Sequence, residues 1–171
     1  PYNVHWKLSK DQGFLAVTEF QLGKSLLKGR TGTYKIGLYY HHHNDSIDKE
    51  QKTHGAYFIC DQQITDKLSV FSQIGISPKS VINHNHFFSC GVNYKGLLAK
   101  RPNDLLGFAL AYAQIDDSRI GSETAFEFTY QMDLSDKVYI RPDIQYIINP
   151  AGTDVKLPNA LVGCFRFGVK F

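Results

Sequence analysis

What most constrains this chain is a two-residue alternation of side-chain character that recurs along it and never gives way to a sustained helical period. Between 123 and 132, Thr124, Phe126, Phe128, Tyr130 and Met132 hold one set of alternate positions. Glu123, Ala125, Glu127, Thr129 and Gln131 hold the other. In ALVGCFRFGVKF, residues 160–171, the apolar set Leu161, Gly163, Phe165, Phe167, Val169 and Phe171 opposes Val162, Cys164, Arg166, Gly168 and Lys170. Successive side chains of a strand point to opposite faces, so each such segment is a strand with one apolar and one mixed face. Ten are predicted: 2–8, 13–22, 33–42, 54–62, 68–76, 86–95, 105–115, 123–132, 137–147 and 160–171. Most approach the roughly 9–11 residues of a tilted membrane strand. The chain is expected to be all-β and antiparallel, one region over 1–171, with no domain boundary and no internal repeat beyond the strand period.

No run nears the roughly 20 apolar residues that a spanning helix needs. The mean hydropathy of −0.27 does not exclude a membrane barrel, because alternation dilutes its apolar band. A last strand that ends on an apolar-face aromatic, Phe171, suits an outer wall that meets lipid. The connectors alternate in part between short (63–67, 133–136) and long (43–53, 77–85, 148–159), as outer-membrane barrels do. The links at 23–32 and 96–104 are longer than that scheme predicts. Pro142 falls inside a segment and requires a bulge or an unpaired position. Aromatics near segment ends, among them Trp6, Tyr39, Tyr40, Tyr57, Phe87, Phe88, Tyr94, Tyr112, Tyr130, Tyr139 and Tyr146, are expected to form interfacial girdles. The competing reading is a soluble β-barrel or sandwich holding a small ligand in an apolar cavity. Dependence on detergent separates the two.

Little else in the chain carries chemistry. The net charge of +3 is small and scattered, which argues against nucleic acid as a partner. Cys60, Cys90 and Cys164 form no CxxC, so neither a disulfide framework nor zinc is indicated. His41 and His43 share a face but need a third ligand, and the run is expected at a solvated loop rim, as are His84 and His86. Glu123 and Glu127 sit about 13 Å apart along a strand, beyond the spacing of a glycosidase carboxylate pair. No motif assembles a nucleophile, base and orienter, so no catalytic or metal residue is assigned. There remain polar groups opposite the apolar stripes, with Glu19, Lys35, Gln73, Glu123, Glu127, Arg141, Asp143, Gln145 and Arg166 expected to line a water-filled lumen. In a dry core these charges would be costly, whereas facing water they cost little. Neither sign dominates, which suits neutral, hydroxyl-rich solutes better than ions.

The C-terminal third, ETAFEFTYQMDLSDKVYIRPDIQYIINPAG followed by LPNALVGCFRFGVKF, resembles the closing strands of the carbohydrate-selective porins of the OprB type. The matching residues are Glu123, Tyr130, Pro142, Asp143, Gln145, Tyr146, Asn149, Pro150, Gly152 and Phe171. Upstream, KRPNDLLGFALAYAQI resembles that family's Arg-Pro-x-Asp strand, and LSVFSQIGISP its Phe-x-Arg-x-Gly-x-Ser-Pro strand, with Gln73 where the family places an arginine. The resemblance implies a sixteen-stranded barrel in the cell outer membrane, passing sugars by diffusion without cofactor or catalysis. A general, non-selective channel is the alternative. The implied partners are outer-membrane lipid and lipopolysaccharide, transported sugars, and the barrel-assembly machinery that reads Phe171. Monomer and homotrimer both stay open. About ten strands of the sixteen are expected here, and the start at Pro1 without a signal peptide predicts that N-terminal strands are missing.

Overall fold

The computed structural model describes residues 13–27, 29–44, 50–78, 84–115, 121–152 and 157–169. Nine strands build one antiparallel sheet in chain order: β1 (Phe14–Gly23), β2 (Gly32–Asn44), β3 (Glu50–Gln63), β4 (Leu68–Ile76), β5 (His84–Lys95), β6 (Leu105–Ile115), β7 (Ser122–Asp133), β8 (Val138–Ile148) and β9 (Ala160–Val169). Every link joins neighbours, and β1 and β9 are the two edges of an unclosed sheet. Two predicted segments, 68–76 and 105–115, match residue for residue. The predicted strand 2–8 and the terminal Phe171 lie outside the described residues.

Of the long connector expected over 43–53, residues 43–44 and 50–53 are strand, while 45–49 lie outside the described residues. β2 continues through the histidine run, with His41 opposite Thr53, His42 opposite Lys52 and His43 opposite Gln51. Ladder bonds are made by the backbone, so a polar run at a solvated strand end can stay in the sheet. Pro142 takes the unpaired option rather than a bulge. Pairing of β7 with β8 lapses between Thr129↔Asp143 and Met132↔Ile140, then resumes in the same register.

Direct partners in an antiparallel pair point the same way, so the register sorts the side chains into two faces. One face carries Phe20, Ile36, Phe58, Ile74, Phe88, Phe108, Phe128, Ile144, Leu161, Phe165 and Phe167. All of these are exposed, Leu161 to 74%. Tyr40, Tyr112 and Tyr146 lie toward one end of this apolar face, and Tyr34, Tyr94 and Tyr130 toward the other. Four members of the expected girdles do not belong to it. Tyr39, Tyr57, Phe87 and Tyr139 point to the opposite, mixed face. There Tyr57 faces Gly37, Tyr39 faces Gly55, Phe71 faces Gly91 and Tyr139 faces Gly168, and in each pair the ring fills the space where a glycine Cβ would be. The rings lie along the wall because the glycines leave room for them.

The connectors 24–31, 64–67, 96–104 and 134–137 share one end of the sheet, and 45–49, 77–83, 116–121 and 149–159 share the other. The two links that looked too long for turns are compact. Lys24 N–H donates to Gly32 O (3.0 Å) and Gly96 N–H to Asp104 O (2.8 Å), while Arg30 and Arg101 N–H each donate to a carbonyl three residues back (2.9 Å). The short turns repeat each other as well. In Ile64–Thr65–Asp66–Lys67–Leu68 the Thr65 hydroxyl accepts from the Lys67 and Leu68 N–H groups. In Leu134–Ser135–Asp136–Lys137–Val138, Ser135 accepts from Lys137 and Val138. The hairpins β3–β4 and β7–β8 are thus the same unit, each carrying an apolar pair at the same distance from its turn, Phe58↔Ile74 or Phe128↔Ile144. The alternation of the sequence does not reveal this repeat.

Candidate functional site: a polar trough across the sheet

The mixed face holds all nine residues expected to line a lumen, in rows set by the register. One row runs Glu19, Gly37, Tyr57, Gly75, Phe87, Ala113, Glu123. The next runs Lys35, Ile59, Gln73, Ser89, Ala111, Ala125. A third passes Asp61, Phe71, Gly91, Ala109, Glu127, Gln145, and a fourth Gln63, Ser69, Asn93, Gly107, Thr129, Asp143. Arg141 and Arg166 face each other beyond these. Along its middle, between Leu105 and Ile115, β6 contributes only Gly107, Ala109, Ala111 and Ala113 to this face. It forms a low floor between polar flanks on β1–β4 and β7–β9.

Each flank is internally braced. On the first, Lys35 Nζ lies 3.2 Å from Glu19 Oε1, and the Tyr57 hydroxyl donates to Glu19 Oε2 (2.7 Å). On the second, Gln145 Nε2 donates to Glu127 Oε2 (3.2 Å) and Arg166 Nη2 to Asp143 Oδ2 (3.2 Å). Asp143 is 2% exposed, so the Arg166 guanidinium supplies the charge that its burial requires. Arg141 donates to the Gln131 amide oxygen and lies over the Tyr139 ring, 5.8 Å from its centre. That ring is itself seated on Gly168. Gln73 lies between Ile59 and Ser89, apart from both braced groups. Glu123 instead anchors a connector, because its Oε2 accepts from Ala151 N–H (2.6 Å) and so ties down the turn Pro150–Gly152. In that turn Asn149 (φ 52°) and Ala151 (φ 61°) adopt the left-handed conformation that L-residues avoid.

Between the flanks, Phe71, Asn93, Gly107, Ala109, Glu127, Thr129 and Arg141 surround a cavity of about 190 Å³. A second, of about 410 Å³, lies on the other side of Phe71 and Asn93 against Thr33, Asp61, Gln63 and Ser69. Sequence reasoning did not single out Phe71 or Asp61. For Phe71 the available signal was that it shares alternate positions with Gln73, whereas β3 held no chosen residue that could have marked Asp61. Carboxylate, guanidinium, amide and hydroxyl groups therefore line one polar trough with an aromatic ring in its middle. Such a set can exchange hydrogen bonds with a neutral polyol at several points without trapping an ion of either sign.

At the end that carries the turns, the braces are structural. Asp104 is buried, with its carboxylate accepting from Arg101, from the Tyr130 hydroxyl (2.7 Å) and from Asp133 N–H (3.3 Å). The Arg101 hydrogen bond above all, then Tyr130 and the Asp133 backbone, hold the Asp104 carboxyl below the ordinary carboxylate range. Arg101 also donates to Asp133 O (3.1 Å), joining the β5–β6 turn to the β7–β8 hairpin. Arg30 does the same one unit earlier through Asp66, whose carboxyl is lowered by that bond.

Known proteins share this architecture. Porin B of Pseudomonas aeruginosa is 24% identical over 188 aligned positions, covering 82% of this chain and 41% of that protein. The structure described as the high-pH structure of Pseudomonas putida OprB superposes with a TM-score of 0.82 at 23% identity, covering 97% of this chain and 51% of that one. The low-pH structure of the same protein gives 0.54 at 17% identity, over 89% and 55%. These two likenesses show the fold, and the chain spans about half the length of the proteins it matches. The family described as carbohydrate-selective porin, OprB family, matches residues 1–171, and the chain belongs to it.

Proposed function

We propose that the chain forms part of the wall of an outer-membrane barrel through which small neutral sugars diffuse passively. The observation that carries this reading is the two-sided wall, with exposed Phe, Ile and Leu on one face and the braced polar trough on the other. The apolar face would meet outer-membrane lipid and lipopolysaccharide. In this reading Glu19, Lys35, Gln73, Glu127, Arg141, Asp143, Gln145 and Arg166 line the lumen, while Glu123 anchors the β8–β9 connector beside it. The longer connectors face outward and the braced turns face the periplasm. Phe171 serves as the signal read by the barrel-assembly machinery. The reading calls for no catalytic step and no cofactor. Liposome swelling tests it, using the protein expressed from its complete gene with neutral sugars and amino acids of similar size. Faster entry of the sugars is expected, and equal rates would leave a non-selective channel instead.

A further inference from the structure

On the mixed face, Asp143 Oδ1 in the trough and Thr53 Oγ1 are buried without a hydrogen-bond partner among the described residues, and at Asn85 the whole side-chain amide is in that position. Asn85 is 1% exposed, and among the described residues neither its Oδ1 nor its Nδ2 has a hydrogen-bond partner. It sits between His84 and His86, where the β5–β6 register shifts, so it is the extra residue of a β-bulge. Bulges re-aim side chains at functional positions. Here Asn85 lines a cavity of about 200 Å³ with Tyr39, Tyr57, Gly75, Ser77 and Phe87. The Tyr39 hydroxyl and Ser77 Oγ are hydrogen-bonded to each other on its wall. Among the described residues, no Asp, Glu, Lys or Arg lines it, and the His86 imidazole is its one titratable group apart from the tyrosine hydroxyls.

A buried amide carries two donors and an acceptor oxygen, and native proteins leave such groups unpaired only where something else completes them. Aromatic rings set beside an amide and hydroxyls offer an apolar surface to C–H groups and hydrogen bonds to O–H groups. An ion would find no carboxylate, ammonium or guanidinium countercharge in this cavity. We propose that it is a sugar subsite for one neutral pyranose unit, separate from the charged flanks. In it Asn85 pairs with adjacent hydroxyls and the rings of Tyr57 and Phe87 cover the sugar's C–H face. The proposal rests on the sugar-diffusion reading. Tyr57 links the subsite to the charged path, because its hydroxyl already donates to Glu19. A sugar leaving Asn85 would therefore next meet the Glu19–Lys35 pair.

The test uses the protein expressed from its complete gene, in planar bilayers, with D-glucose as the probe and block of ion current as the readout. Asn85→Leu and Tyr39→Phe are each expected to raise the half-saturating glucose concentration about three-fold or more. If Asn85→Leu loses strand content by circular dichroism, Tyr39→Phe carries the comparison alone. Saturation by glucose in the parent with unchanged constants in the variants would mean that the cavity holds water only, about seven molecules by volume. That result overturns the subsite and leaves sugar diffusion standing. A parent that neither saturates with glucose nor prefers it to similarly sized amino acids removes both.

Discussion

Single residues hold this wall together in two ways, by charge at the turns and by shape on the mixed face. Asp104 is the clearest case of the first, since one carboxylate gathers the Arg101, Tyr130 and Asp133 donors and pins two hairpins. Its carboxyl is held below the ordinary range in the fold, so protonation favours the unfolded chain. That contribution is complete above the unfolded carboxylate value near pH ~4 and fades as the pH falls through the lower, folded one. Asp104→Asn removes the charge and turns one acceptor into a donor, which is expected to cost about 2 kcal/mol at neutral pH. The cost should shrink in acid, and thermal unfolding in detergent at two pH values checks both parts. For shape, Gly37 matters because the Tyr57 ring occupies the place of its missing Cβ. Gly37→Ala must displace that ring away from the wall, at an expected cost of about 1–3 kcal/mol. It also breaks the Tyr57–Glu19 hydrogen bond. Sugar flux should fall more than stability alone would explain, as swelling rates compared with circular-dichroism melting would show.

Elements were legible in the sequence wherever alternation was uninterrupted. β4 and β6 emerge with their observed bounds because their apolar and mixed positions never change phase. The mixed-face set follows from the same parity, which is why residues as distant as Glu19 and Arg166 fall on one face. What stayed hidden depends on partners rather than on period. The path of β2 through His41–His43 is decided by pairing with Gln51–Thr53. The inward turn of Tyr39, Tyr57 and Tyr139 is stabilised by glycines on neighbouring strands, far away in sequence. Asn85 becomes distinctive only through a bulge that no composition marks. The repeated turns are a further instance, since ITDKL and LSDKV look alike only once their hydrogen bonds are seen to coincide. Exchanging their first two residues, with Ile64→Leu and Thr65→Ser in one and Leu134→Ile and Ser135→Thr in the other, should change stability by less than about 0.5 kcal/mol. Ser135→Ala, which strips two backbone N–H groups of their acceptor, should cost about 1 kcal/mol. A larger loss from the exchange than from the alanine would show that the turns are not equivalent units.

At the scale of the whole molecule, the wall presents an apolar and a mixed face across the thickness of one strand, and Glu127 and Phe128 lie one on each. Phe128 stands midway along β7 on the apolar face, 48% exposed and paired with Phe108 and Ile144. Glu127, one residue before it, faces the trough and is held by Gln145. If the apolar face meets lipid, Phe128→Arg places a charge near the middle of the bilayer, at an expected cost of about 2–4 kcal/mol. Glu127→Gln keeps the side chain's size and stays on the wet side, so folding into liposomes should be nearly unaffected while the polar path loses a charge. The expected pattern is a double dissociation between neighbouring residues. Phe128→Arg should lower the folded fraction in gel-mobility assays, with near-parental sugar flux per folded molecule, whereas Glu127→Gln should fold normally and alter the preference for sugar over amino acid. A soluble barrel with its phenylalanines packed inside requires another result: monodisperse protein in plain buffer, with Phe128→Arg disrupting the fold whether or not lipid is present. The exposed row from Phe20 to Phe167 argues against that packing, because it offers detergent or lipid an apolar surface that runs from one edge strand to the other.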